Sequence, residues 1–108
     1  MNNQQIIRCL QECASKLKID LNISNLDKID IISRQYGNDE IFEFQRDLVE
    51  AGNDAGIVLI EKYLDRSSLR ELMTDTRTPL IVFIEENGFH PAFIRQERKK
   101  TVLEFITT

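Results

Sequence analysis

The segment Thr78-Pro79-Leu80-Ile81-Val82-Phe83-Ile84-Glu85-Glu86-Asn87-Gly88-Phe89-His90 decides the fold class of this chain of 108 residues. Its apolar run, Leu80 to Ile84, is β-branched and aromatic, and it is bounded by Pro79 and by Asn87-Gly88. This pattern is typical of a buried strand that enters a tight hairpin. The sequence therefore predicts an antiparallel hairpin whose returning strand carries the only histidine.

Patterns on both sides of the hairpin predict helices before it and one more strand after it. The predicted elements are helices over residues 3–18, from Ser24-Asn25 to near Tyr36-Gly37, and from Asn38-Asp39 to Gly56, a strand over 57–60, a short helix over 69–73, and strands over 80–85, 89–96 and 101–106. The third helix has the apolar face Ile41, Phe42, Leu48, Val49 and Ala55, with Gly52 on the same side as a predicted close contact. This order predicts one α+β domain over residues 1–108, with N-terminal helices packed on a small antiparallel sheet.

The composition excludes several classes of protein. An apolar fraction of 42% with 30% charged residues is typical of a soluble globular domain. A net charge of −4 argues against a nucleic-acid partner, because such binding requires Lys and Arg to neutralise phosphates. The sequence has no signal-peptide pattern and no apolar run near the ~20 residues that cross a bilayer. The chain is therefore expected to be cytosolic or cytosol-facing.

Cys9 and Cys13 have three interpretations: a nucleophile and its neighbour, metal ligands, or core residues. They lie four apart on one predicted helix face, which disfavours a disulfide between them. A zinc site needs four ligands, and the chain offers two Cys and one His. Because free Cys is among the most buried residue types, the core is the default. No metal or other cofactor is predicted.

His90 is either a general base or a half-exposed turn residue. Pro91 follows it, which favours an edge or bulged position, and the last strand offers Glu104 but no Asp or Asn to orient the imidazole. Phe89 and Phe93 share one strand face and His90 takes the other, so His90 is predicted to be partly exposed and Phe93, like Phe83, mostly core. On this alternation, Phe89 and His90 line one cleft only if Pro91 introduces a bulge.

The segment 95–100 carries four positive charges against one negative. It is either a solvated hairpin end or a contact for anionic lipid headgroups or an acidic partner.

The chain resembles a known family through three segments, which occur in this order: Leu48-Val49-Glu50-Ala51-Gly52-Asn53-Asp54-Ala55-Gly56-Ile57, Leu69-Arg70-Glu71-Leu72 and Thr78-Pro79-Leu80-Ile81-Val82-Phe83. That family is the bacteriocin-processing cysteine peptidase domain at the N-terminus of ABC exporters, which cleaves a leader after a double glycine. The resemblance covers about residues 3–107 and implies a papain-like cysteine peptidase-like fold.

The nucleophile motif departs from the family. The motif retains two cysteines at similar spacing in the segment Arg8-Cys9-Leu10-Gln11-Glu12-Cys13. However, Leu10 stands where the family has a Gly, and Arg8 stands where it has an Asp. The resemblance therefore implies the catalytically degenerate form, in which Cys9 and His90 are no longer catalytic. Such a domain is expected to bind the transported polypeptide or its leader peptide through Cys9, Cys13, Asn87, Phe89 and His90.

By the same resemblance, the chain is the excised N-terminal domain of a larger bacterial exporter, at the cytoplasmic face of the inner membrane. Its other partners are then the transmembrane and ATP-binding domains of that exporter. Two alternatives stay open. One is an active leader-cleaving peptidase that uses Cys9 and His90, and the other is a stand-alone interaction domain that pairs through an edge strand.

Overall fold

Three helices and one antiparallel sheet make up the part of the chain that the structure, a computed structural model, describes: residues 4–22, 35–74 and 78–107. In chain order the elements are α1 (Gln4–Leu17), α2 (Ile41–Ala55), α3 (Arg66–Met73), β1 (Ile81–Glu85), β2 (Phe89–Glu97) and β3 (Lys100–Phe105). The strand order is β1-β2-β3, and both pairings are antiparallel. The predicted α+β class is confirmed. The predicted helix from Ser24-Asn25 lies outside the described residues up to residue 34, and its predicted end at Tyr36-Gly37 is not helical.

The first helix buries one stripe of small and aliphatic residues: Ile6, Cys9, Leu10, Cys13 and Ala14. Their spacing of three and four residues keeps them on one helix face, which confirms the predicted amphipathic helix. Leu17 has the spacing of this stripe, but it ends the helix and is exposed. On the outer face, Arg8 and Glu12 form an ion pair of 2.8 Å one turn apart.

The second long helix buries part of the predicted face, but Phe44 rather than Phe42 points into the core. Phe44, Leu48, Ala51, Gly52 and Ala55 are its buried residues, whereas Phe42 is 61% exposed. Two residues span about 200° around a helix, so Phe42 and Phe44 point in nearly opposite directions. The helix predicted to start at Asn38-Asp39 starts later, at Ile41, and the preceding residue, Glu40, makes no side-chain cap hydrogen bond.

Gly52 lies at the predicted close contact. A Cβ there would stand 2.8 Å from the carbonyl oxygen of Ile57 and 3.4 Å from a methyl group of Leu10. The chain folds back because Gly56 ends α2 in the left-handed conformation, with φ of 94°. Ile57 N then donates to Gly52 O at 2.7 Å.

The strand predicted over residues 57–60 is wrong. Ile57 is used to terminate α2 and is buried, while Val58 and Ile60 are 78% and 76% exposed. Among the described residues, no backbone–backbone hydrogen bond joins residues 58–64 to another segment. The short helix that follows begins earlier than predicted, at Arg66. Asp65 caps it by accepting from Ser68 N at 2.8 Å, a bond that lowers the pKa of this carboxyl.

The core lies between the long helices and one face of the sheet. Phe44 stands at its centre and meets the rings of Tyr36, Phe83 and Phe89 edge-on, at centroid distances of 5.1, 5.8 and 5.5 Å. Phe93, on the same sheet face, is buried as predicted, and Phe83 is half-buried. Ala92 points to the other face and is fully buried, and α3 contacts β2.

No helix in the described ranges has the length and apolar character needed to span a bilayer.

Candidate polypeptide-binding site

The β1–β2 hairpin borders a surface depression of about 190 Å³. Its lining residues come from α1, from the chain before α2 and from the hairpin: Gln5, Gly37, Asn38, Asn87, Gly88, Phe89 and His90. Three of the five predicted site residues, Asn87, Phe89 and His90, therefore meet in one place.

The turn of the hairpin is held in a conformation that its sequence favours. Asn87 and Gly88 both have positive φ, 51° and 111°, and Glu86 N donates to Gly88 O at 3.0 Å. A Cβ on Gly88 would stand 3.0 Å from Oδ1 of Asn38. Glycine therefore serves both the left-handed backbone and the close approach of the Gly37-Asn38 segment.

His90 is exposed, and its ring contacts the backbone of the same hairpin. Nε2 lies 2.9 Å from the carbonyl oxygen of Glu86. Because a carbonyl oxygen only accepts, Nε2 is the donor in this contact. The described residues thus give His90 a backbone partner at Nε2 rather than a carboxylate orienter.

Phe89 and His90 alternate as predicted, with Phe89 3% exposed and His90 exposed. The pairing of Phe83 with Pro91 continues the strand register without interruption. The prediction that both could line one cleft only with a bulge at Pro91 is therefore wrong. The depression lies at the turn end of the strands, where residues of both sheet faces reach it.

Cys9 and Cys13 lie in the core instead of the depression. Both are free thiols, 0% and 3% exposed. Burial raises the pKa of Cys9 from 9.0 to about 12, and the neighbouring Cys13 adds to this effect. Burial likewise raises the pKa of Cys13 to about 11. Both are neutral thiols at physiological pH, the state expected of core residues. Within the described ranges, no group of three His, Cys, Asp or Glu is placed to hold a metal ion.

Sequence reasoning missed Gln5, Gly37 and Asn38 as site residues. The sequence predicts a helix start at Asn38, and nothing in its local pattern connects it with a turn 49 residues later. Together with Asn87, these residues give the depression three side-chain amides, each of which both donates and accepts hydrogen bonds. Such groups suit the N–H and C=O groups of a peptide backbone.

Comparisons of the chain with protein-family models, with curated proteins and with solved structures found no match.

Proposed function

We propose that this chain is a non-catalytic, papain-like peptidase-like domain that binds an extended polypeptide in the depression beside the β1–β2 hairpin. The observation that carries the proposal is the meeting of Gln5, Asn38, Asn87 and His90 around that depression. A polypeptide docked in extended form needs backbone partners and a place for alternate side chains. The three amides and the imidazole supply the first, and the depression supplies the second.

The state of Cys9 supports binding over cleavage. A cysteine nucleophile acts as a thiolate and is activated at a helix N-terminus or beside a cation. Cys9 is fully buried within α1, and its pKa is raised to about 12. The alternative of a leader-cleaving peptidase would require this thiol to leave the core before it could meet His90.

By the family resemblance, the proposed ligand is the transported polypeptide of an ABC exporter, or the leader that precedes it. The domain would then hold that polypeptide near the entrance of the transmembrane domains, at the cytoplasmic face of the inner membrane. The ATP-binding domain of the same exporter would supply the energy for transport.

We expect the hairpin turn to respond when a synthetic double-glycine leader peptide is titrated into the isotopically labelled chain. Amide shifts should concentrate at residues 37–38 and 87–90. Asn87→Gly removes the amide but keeps a residue suited to positive φ, and should weaken binding about threefold to tenfold, the effect of one lost hydrogen bond.

Thr101→Ala, at the far end of the sheet, is the control for this titration and should leave the affinity unchanged. Shifts confined to β3 or to residues 58–64, with the affinity of Asn87→Gly equal to that of the wild type, would exclude the hairpin as the docking wall.

A second candidate function is favoured by the exposed segment 58–64. Val58, Ile60 and Tyr63 are 78%, 76% and 80% exposed, and the backbone of this segment has no backbone hydrogen-bond partner in another described segment. Such a segment can pair with another strand, which suits a stand-alone interaction domain.

For this candidate, analytical ultracentrifugation should show self-association that depends on concentration. Val58→Lys should abolish the self-association. Phe42→Lys, a matched change at an exposed position of α2, should preserve it. A monomer at every concentration contradicts this candidate.

A further inference from the structure

The turn between β2 and β3 concentrates positive charge on an otherwise acidic protein. Arg98, Lys99 and Lys100 are consecutive and exposed, and Arg98 has a left-handed backbone with φ of 57°. The net charge of the whole chain is −4. The turn is therefore a local basic site rather than part of a generally basic surface.

The acidic residues of the same hairpin are already paired. Glu104 Oε2 lies 3.1 Å from Arg95 Nη1 and 3.5 Å from Lys16 Nζ, and Glu97 Oε2 lies 3.4 Å from Arg95 Nη2. Glu97 and Glu104 are the only acidic residues between Phe89 and Phe105. The three turn cations have no ion pair within the described ranges.

Two exposed apolar side chains lie further along β3 from this basic turn. Leu103 and Phe105 are 40% and 51% exposed, and because they are two residues apart they point to the same side of the strand. Cations beside exposed aliphatic and aromatic side chains match a lipid interface, where headgroups take the charges and the apolar groups enter the acyl boundary.

We propose that the turn Arg98–Lys100 and the exposed face of β3 form a docking surface for an anionic lipid leaflet. The argument is charge complementarity, and it does not depend on the proposed polypeptide site. Each basic residue near an anionic leaflet favours binding by about fivefold, so three favour it on the order of a hundredfold. An acidic polypeptide would satisfy the cations but would give Leu103 and Phe105 no role, which is why the lipid surface is favoured.

Vesicle sedimentation with the full chain tests the proposal. At low salt, the chain should bind vesicles of equimolar phosphatidylcholine and phosphatidylglycerol at least tenfold more tightly than vesicles of phosphatidylcholine alone. The combined variant Arg98→Asn, Lys99→Gln, Lys100→Gln should lose this difference. Asn at position 98 suits the left-handed backbone, so the turn is retained. Circular dichroism and denaturant unfolding verify that each variant is folded.

The matched control is Lys62→Gln, Arg66→Gln, Arg70→Gln, which removes the same amount of charge from another exposed region. It should bind anionic vesicles as the wild type does. Equal binding of the wild type to neutral and anionic vesicles, or equal losses in both triple variants, would overturn the proposal.

Phe105→Ser distinguishes the lipid surface from an acidic polypeptide. It should weaken binding to anionic vesicles while leaving any binding to a soluble poly-glutamate peptide unchanged. Vesicle binding that is insensitive to Phe105→Ser, and that the peptide competes away at equal charge, would overturn the lipid assignment in favour of an acidic partner.

Discussion

Phe44→Ala is expected to lower the free energy of unfolding by about 3–5 kcal/mol, as the removal of a buried aromatic ring does. Phe44 is 0% exposed and contacts the rings of Tyr36, Phe83 and Phe89. The loss has two parts, the transfer free energy of the ring and the cost of the cavity that it leaves. The cavity lies between α2 and the β1–β2 hairpin, and these two segments close it only partly. Denaturant unfolding followed by circular dichroism measures it.

Phe42→Ala is the matched control, since it makes the same chemical change two residues earlier on the same helix. Phe42 is 61% exposed, so we expect a change within about 0.5 kcal/mol. Equal losses in the two variants would mean that α2 presents a different face to the sheet. Phe44 packs against Phe89, which lines the depression. Phe44→Ala should therefore weaken the binding of the leader peptide, in proportion to the fraction of the chain that it unfolds.

The hairpins could be predicted from the sequence because their signals are local. Asn87-Gly88 supplies the residues that a left-handed turn requires, and the apolar run from Leu80 to Ile84 precedes it. The α2 face was predicted correctly at Leu48 and Ala55 but not at Phe42, because the helical spacing of four residues before Leu48 selects Phe44.

The run at residues 57–60 shows a different limit. Its β-branched composition indicates a strand, but pairing depends on a neighbour that no local pattern supplies. The adjacent end of α2 uses Ile57 instead, through its hydrogen bond to Gly52. Composition therefore indicated the β-branched, apolar character of this segment, but it did not indicate that the segment lies outside the sheet.

The candidate site divides in the same way. Asn87, Phe89 and His90 were predicted because they surround one turn, whereas Gln5 and Asn38 reach it only through tertiary packing. Cys9 and Cys13 were named as site candidates through the family resemblance, but the periodicity of α1 already favoured the core. The family resemblance and the helix period thus gave different locations for these two cysteines, and the structure agrees with the helix period.

The alkylation rate of Cys9 should be at least about a thousandfold slower in the folded chain than in the unfolded chain at pH 8. The pKa is raised from 9.0 to about 12. Three pH units lower the thiolate fraction by about 10³, and burial further restricts the reagent. Iodoacetamide labelling of a Cys13→Ala variant, with and without denaturant, isolates this thiol. A folded-state rate near the unfolded one would favour the peptidase alternative.

The same shift predicts how stability depends on pH. Burial favours the neutral thiol, so folding has no ionisation cost for Cys9 below pH 9. Between pH 9 and about 12 the unfolded chain has released this proton and the folded chain has kept it. The unfolding free energy should therefore fall as pH rises through this window, by up to about 1.4 kcal/mol per pH unit for this group. Denaturant unfolding at pH 8 and pH 10 measures the slope. Cys9→Ala should show a smaller decrease than the wild type, because alanine does not titrate, and equal slopes would place Cys9 in contact with water.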